Sequence, residues 1–183
     1  PESFVAVHAN FASLPKILSA TGHQYVDMIL ADLGVSSMQI DNPERGFSFK
    51  NDGPLDMRMN QEKGETASHL LNRITENKLA SLLRDNADEP DASVIAHAIF
   101  QNREEMKTTM DLTGIIKSAL SELKRSDSDI VKSERRVYQA LRIDINGEFS
   151  ALEAMLANLP YCLKSGGRVV ILTFHSGEDN RVV

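Results

Sequence analysis

The chain has 183 residues, 42% hydrophobic and 25% charged, with a net charge of −6 at pH 7. That balance is ordinary for a globular protein and allows one sizeable core, or one domain carrying an insertion. A single cysteine, Cys162, excludes an internal disulfide framework and a cysteine-rich metal site and fits a reducing, intracellular setting, while the apolar runs are too short to span a bilayer and the N-terminal residues lack the basic and apolar regions of a signal peptide.

The chain opens on Pro1 rather than methionine, as a processed or truncated protein does. Phe4 to Val7 is a short β-branched and aromatic run that predicts a strand. Phe11 to Ala20 has helical spacing through Leu14, Ile17 and Leu18, with Gly22 just past its end. Val26 to Leu30 reads as a near-continuous apolar strand of the kind buried on both faces of a parallel sheet. The opening pattern is therefore β-α-β.

From Thr66 to about Leu123 the periodicity predicts helices over Thr66–Arg73, Glu76–Asn86, Asp91–Arg103 and Asp111–Lys124. Thr75 and Ser93 can cap helix starts, and Thr109 or Asp111 can begin the last one. No strand signal interrupts this run. It predicts an all-helical subdomain, residues 61–134, inserted into an α/β domain made of residues 1–60 and 135–183. Arg136 to Ile145 is an apolar-basic segment, and Asn146 to Leu163 reads as an amphipathic helix through Phe149, Leu152, Met155, Leu156 and Leu159. Ser165-Gly166-Gly167 predicts a turn. Arg168 to Phe174 reads as a second buried strand, ending in His175-Ser176-Gly177.

Between the strand at Val26 and the helices lies a segment with no period, Asp32-Leu33-Gly34-Val35-Ser36-Ser37-Met38-Gln39 through Arg45-Gly46-Phe47-Ser48-Phe49 to Asp52-Gly53-Pro54-Leu55-Asp56-Met57-Arg58-Met59. A long irregular segment on the C-terminal end of a strand is where α/β proteins build ligand sites. Asp32, at that strand end, can accept hydrogen bonds from a ligand amine or cap the amides of its own loop. His175-Ser176 ends a strand at the same edge, so the two ends should be neighbours in a parallel sheet, with structural hydrogen bonding favoured over a general base for His175. Asp56-Met57-Arg58 alternates in sign, and an Asp56–Arg58 or Asp56–Arg45 pair bracing the loop is favoured over free phosphate contacts.

Charge is segregated along the chain. Lys132, Arg135, Arg136 and Arg142 cluster against the single acid Glu134, whereas Asp85, Asp88, Glu89 and Asp91 make an acidic stretch. The overall acidity argues mildly against a phosphate-rich partner, and the local basic cluster keeps RNA open. His8, His23, His69 and His97 have no ligand-like spacing, so no metal is expected. Cys162 reads as packing.

The irregular segment closely resembles the ribosomal small-subunit methyltransferase H family. Three later pieces agree in order: Ile95-Ala96-His97-Ala98-Ile99 with Arg103; Tyr138-Gln139-Ala140-Leu141-Arg142-Ile143 with Asn146 and Glu148; and Gly166-Gly167-Arg168 leading to Phe174-His175-Ser176. The resemblance covers nearly the whole chain. It implies a Rossmann-like class I methyltransferase sheet, S-adenosyl-L-methionine as cofactor, and N4-methylation of a decoding-centre cytosine in 16S rRNA of the small ribosomal subunit, in the cytoplasm. It also implies that the family's glycine-rich cofactor loop lies upstream of Pro1 and its last strands downstream of Val183, so that the chain is a central slice, inactive alone. Gly177 stands where the family usually has leucine, and Ser133-Glu134 where it has a proline-containing pair.

Carried over position by position, the resemblance implies cofactor contacts for Phe11, Asp32 and Gln39, with Asp32 the candidate catalytic group. Without it, a phenylalanine opening a helix, as Phe11 does, is more often core. Methyl transfer to an exocyclic amine is an in-line displacement that depends on positioning and preorganised electrostatics and requires no metal. Related amino-group methyltransferases stack the base on an aromatic next to prolines; Asp32-Leu33-Gly34-Val35 lacks both. Phe47 or Phe49 is therefore a candidate to stack on a flipped-out base, against the at least as strong alternative that both pin the loop to the domain. Arg45, Arg58, Arg142, Asn146 and His175 complete the candidate RNA-binding set, with Arg142 and Asn146 placed near a helix start. Two rival readings stay open: a non-catalytic RNA- or ribosome-binding remnant, and a small-molecule methyltransferase on the same scaffold. A monomer and a homodimer are equally compatible with the sequence.

Overall fold

A computed structural model describes residues 4–183. In chain order the elements are a 3-10 turn Phe11–Ser13, α1 Leu14–Ala20, β1 Val26–Asp32, α2 Ser37–Asp41, a second 3-10 turn Pro43–Arg45, α3 Ala67–Arg73, α4 Glu76–Ala87, α5 Ala92–Asn102, α6 Thr109–Glu122, α7 Asp127–Asn146, α8 Glu148–Cys162, β2 Leu163–Leu172 and α9 Ser176–Val182. The fold is mixed α/β, with a two-stranded parallel sheet among the described residues. The chain divides into two compact units, one built from the segments up to Gly34 and Glu148–Val183, the other from Val35–Gly147.

In the first unit β1 and β2 pair in parallel, with Met28 opposite Arg168, Leu30 opposite Val170 and Asp32 opposite Leu172. Both strands alternate in exposure rather than being buried throughout. Ala31 and Ile171 pack with Leu33, Leu152, Met155 and Leu156, so the α8 side of the sheet is covered. The opposite face leaves Met28, Leu30, Val170 and Leu172 exposed. The expectation of strands buried on both faces is corrected here: continuous apolar sequence does not reveal which face gains a partner layer. Phe4 to Val7 forms no strand. The predicted turn at Ser165-Gly166-Gly167 is instead part of β2, where the register shifts between Val26 and Met28 and Gly166 takes φ 78°. An irregularity inside one strand and a turn between two strands draw on the same glycine chemistry.

The second unit is helical. Leu70, Leu71, Leu79, Leu83, Ile95, Ile99, Leu112, Ile116, Leu120, Val137 and Leu141 form its contiguous core. Side-chain caps set several helix starts, but the expected caps at Thr75 and Ser93 are not made: Thr75 stands at the N-cap of α4 without a side-chain hydrogen bond, and Ser93 lies inside α5, whose N-cap is Asp91. Thr66 accepts from the His69 amide, and Ser126 from that of Asp129. At α6 a full capping box joins Thr108 and Asp111, so Thr108 is the cap and Asp111 closes the first turn. The amides of Lys107 and Thr108 lead in holding the Asp111 carboxyl below its ordinary pKa, against a smaller opposing cost of burial.

Arg136 to Ile145 lies inside the 20-residue helix α7. That helix ends at Asn146, with Gly147 in the left-handed region as its C-cap, and α8 begins at Glu148. Arg142 and Asn146 thus belong to the last turn of one helix, not to the start of the next. The hydrophobic period runs on through residues 137–159, and only the left-handed glycine separates the two helices.

Much of the segregated charge is engaged within this unit. Glu89 is buried and accepts from the Ser133 hydroxyl at 3.0 Å, with the Arg136 guanidinium 3.8 Å away. Asp91 forms a bidentate pair with Arg125 at 2.6 and 2.9 Å, and Lys132 meets Asp129 at 3.1 Å. The acidic stretch therefore includes groups that brace helices, and the basic cluster is less free than its sequence suggests. The buried core sets one expected outcome. Leu112→Ala, at a fully buried site, should cost about 2–5 kcal/mol, read as a lowered denaturation midpoint by circular dichroism.

Candidate functional site

In the first unit the C-terminal ends of β1 and β2 lie side by side, with the Leu33 amide donating to the Leu172 carbonyl at 3.2 Å. This is the edge where open α/β sheets place ligands. Asp32 is exposed there, and its carboxylate takes no hydrogen-bond or ion-pair partner among the described residues. The reading in which Asp32 caps its own loop is not what the structure shows. Phe11 opens the 3-10 turn next to Asn10, which caps it, and is 41% exposed rather than core.

His175 follows β2 and is the N-cap residue of α9. Its Nε2 lies 3.4 Å from the buried Glu178 carboxylate, and its ring stands 5.9 Å from that of Phe149. Glu178 in turn accepts from the Phe174 amide at 2.8 Å. Arg181 covers the Phe149 ring at 3.5 Å and donates to the Gly177 carbonyl. A Cβ at Gly177 would come within 2.6 Å of the Phe149 ring, so a side chain has no room there as the ring stands.

In the second unit the irregular segment is held at every few residues. Gln39 completes a capping box with Ser36, its side-chain oxygen accepting from the Ser36 amide at 2.9 Å. Arg45 closes a 3-10 turn, and Gly46 follows with φ 68°. A Cβ at Gly46 would run into the Pro54 carbonyl, so the chain crosses itself here at a distance only glycine permits. The Arg45 carbonyl accepts from the Met57 amide at 3.0 Å. The Arg45 guanidinium donates to the carbonyls of Arg58 and Met59 at 2.8 and 3.0 Å and lies 5.5 Å from the Phe47 ring.

Phe47 and Phe49 both pack against the helical core, and Phe49 meets Tyr138 edge-on at 5.7 Å. Tyr138 is fixed by donating to the Thr109 carbonyl at 2.8 Å, and burial pushes its hydroxyl well above its ordinary pKa. The far end of the loop is tied to the start of α6, where the Thr109 amide donates to the Gly53 carbonyl and the Thr109 hydroxyl to that of Asn51. The expected Asp56–Arg58 pair is present and bidentate, at 2.7 and 2.8 Å. Burial tends to raise the Asp56 pKa, but the hydrogen bonds and charge of Arg58 outweigh it, and the net direction is downward.

Asn146 is the residue whose role the sequence did not reveal. Its side-chain oxygen accepts from the Met59 amide at 2.7 Å, and its nitrogen donates to the carbonyls of Met57 at 2.8 Å and Arg142 at 2.9 Å. An asparagine ending a helix, with a left-handed glycine after it, is a weak sign of such a clasp; the loop partner 87 residues away is invisible in sequence. Arg142, half-buried, supplies one of those carbonyls. The structure thus brings Arg45, Phe47, Phe49, Arg58 and Asn146 into one braced loop, and places Asp32 and His175 at neighbouring strand ends. Phe11 lies on a separate segment, packed on α8. A cleft of about 580 Å³ between α5 and α6, with His97, Glu105 and Glu122 among its lining, includes none of the candidate residues. Among the described residues no group of acids, histidines and cysteine is arranged to hold a metal, and no helix is long and apolar enough to cross a membrane.

The depressed Asp56 pKa gives a signed pH dependence. The ionised form is favoured by folding, so its contribution is full above the ordinary aspartate range and is lost as pH falls through the folded-state value. Asp56→Asn should cost about 1–3 kcal/mol at pH 7, and the gap to wild type should narrow as pH drops below about 4. Urea melts at several pH values check both.

Residues 1–183 match the profile of the MraW methylase family over their full length. The chain is 45% identical to "Ribosomal RNA small subunit methyltransferase H 1" of Lachnoclostridium phytofermentans, across 100% of this chain and 50% of that protein. It is 47% identical to "Ribosomal RNA small subunit methyltransferase H 2" of Alkaliphilus metalliredigens, across 94% of this chain and 50% of that protein. Identity to "Ribosomal RNA small subunit methyltransferase H" of Metamycoplasma arthritidis is 44%, across 98% of this chain and 62% of that protein. The chain spans about half the length of the first two relatives.

Proposed function

The chain belongs to the MraW methylase family, and from that premise we propose that it serves S-adenosyl-L-methionine-dependent N4-methylation of a decoding-centre cytosine in 16S rRNA, within the small ribosomal subunit in the cytoplasm. The observation that carries the reading is Asp32: an exposed carboxylate without a partner among the described residues, at the C-terminal edge of a parallel strand pair. The names of the relatives supply the RNA substrate.

The residues present suit the cofactor on the side they offer. Asp32 has acceptor capacity for an amino group, the Phe11 ring is accessible for a flat or apolar group, and the side-chain nitrogen of Gln39 is left over from its capping box. S-adenosyl-L-methionine, when bound, supplies an electrophilic methyl group. The protein's part is to hold the target amine in line and out of conjugation with its ring, with Asp32 accepting an amine hydrogen bond. Of the two aromatics, Phe47 is the better candidate to stack on an extruded base, because an edge contact with Tyr138 already engages Phe49. Arg142 and His175 are proposed as substrate contacts, while Arg45, Arg58 and Asn146 act on the substrate through the loop they brace.

The same reading assigns residues 1–60 and 135–183 to a Rossmann-like methyltransferase domain, supported by the parallel pairing of β1 and β2. Residues 61–134 are proposed as its helical insertion, supported by the uninterrupted helices α3 to α6.

Asp32→Ala should leave folding intact, since the side chain is exposed, and lower methyl transfer by about 100-fold or more. The measurement is transfer of labelled methyl from S-adenosyl-L-methionine to unmethylated small ribosomal subunits by the full-length protein, with free cytidine in parallel. Transfer to cytidine but not to subunits would favour a small-molecule enzyme, and transfer to neither a non-catalytic RNA binder.

A further inference from the structure

We infer that Asn146 is a positioning residue: with Arg45 it forms a two-sided clasp on the backbone of Met57, Arg58 and Met59, and it sets the geometry of the loop that meets the RNA. The inference rests on the proposed function for its catalytic consequence and on hydrogen-bond geometry for the clasp itself.

Asn146 uses both ends of its amide on the loop. The oxygen takes the Met59 amide hydrogen and the nitrogen reaches the Met57 carbonyl, so residues two apart are read by one side chain as a strand neighbour would read them. Arg45 supplies the other half, its guanidinium donating to the carbonyls of Arg58 and Met59 and its own carbonyl accepting from the Met57 amide. Between them they satisfy backbone groups of a segment that belongs to no helix or strand.

The clasp also holds strain. Met57 is a non-glycine residue with φ 61°, and it is fully buried. A left-handed methionine costs about 1–2 kcal/mol, so it persists only where its surroundings over-determine it. Asn146 and Arg45 are what over-determine it on the polar side, and burial of the Met57 side chain does so on the apolar side. Arg58 comes next, aimed by its bidentate contact with Asp56, and the Arg45 guanidinium lies against the Phe47 ring. Loosening Met57 therefore disturbs the Arg58–Asp56 brace beside it and, through Arg45, the Phe47 ring proposed to stack on the base. Both donors of the Asn146 amide are used within the protein, on the Met57 and Arg142 carbonyls. Its position at the end of α7, one residue before the left-handed Gly147, makes the clasp an outgrowth of a rigid element.

The test uses the full-length protein with Asn146→Ala and Asn146→Asp, and Asn102→Ala as a control whose side chain bonds only its own helix. Two readouts are taken: kinetics of methyl transfer to small ribosomal subunits, and amide hydrogen exchange at Met57 and Met59. Asn146→Ala should lower kcat about 10- to 100-fold, leave the KM for S-adenosyl-L-methionine unchanged, and speed exchange at Met59. Asn146→Asp keeps the acceptor for Met59 and loses the donor to Met57, so it should retain Met59 protection and recover part of kcat. Wild-type kcat in Asn146→Ala overturns the inference whether or not exchange changes, as does a rise in KM with kcat intact. If Asn146→Ala does not fold, Arg45→Lys, which shortens the reach to the same carbonyls, decides by the same readouts. A wild-type protein that transfers no methyl group to subunits overturns the proposed function instead, and unchanged exchange at Met59 would then overturn the clasp separately.

Discussion

A chain that leaves helix and sheet must still pair its backbone N–H and C=O groups, and in this protein that requirement governs the stretch from Asn42 to Thr66. The solution is distributed. Arg45 and Asn146 serve the carbonyls and amide around Met57, Thr109 serves Asn51 and Gly53, and the amides of Ala67 and Ser68 donate to the carbonyls of Asp56 and Leu55. Each partner sits at a helix terminus or turn: the end of α7, the start of α6, the start of α3 and the turn at Pro43–Arg45. The helical core fixes those termini, and they fix the loop. The loop's irregularity is thus a consequence of rigid neighbours rather than of their absence.

Charge follows the same logic. A net charge of −6 sits awkwardly with an RNA substrate if charge is treated as a uniform property. Within the helical unit the acids Glu89 and Asp91 are engaged with Ser133 and Arg125, and Asp56 with Arg58. These carboxylates are internal ties, and they say little about what the surface attracts. What matters for a polyanion is which cations remain exposed, as Arg135 does, and how the field is arranged locally.

Helices α3 to α6 were legible because a 3.6-residue period is a local signal, whereas α2, inside a stretch without an evident period, and α7, whose sequence reads as an apolar-basic segment, were not. The parallel neighbours ending at Asp32 and Leu172 followed from one apolar strand near each end of the chain and a crossover between them. The Asp56–Arg58 pair was legible because two residues of separation in an irregular stretch puts opposite charges within reach. Other features were not. The half-exposed strands depend on which face of the sheet gains a layer, a tertiary fact. The break at Gly147 hides inside a hydrophobic period that continues across it. The Asn146 clasp spans 87 residues, and sequence spacing carries no signal at that range. Asp32 was identified as a strand-end acid, but its lack of a partner among the described residues had to be seen.

Phe149 and Gly177 divide a fixed volume between them. The Arg181 guanidinium lies over the Phe149 ring, and the ring crowds the Cα of Gly177. The side chain that fits at either position therefore depends on the other. A bulkier residue at 177 requires the ring at 149 to move aside or give way to a smaller side chain. The two sites are thus coupled, and a side chain accommodated at 177 depends on where the ring at 149 stands.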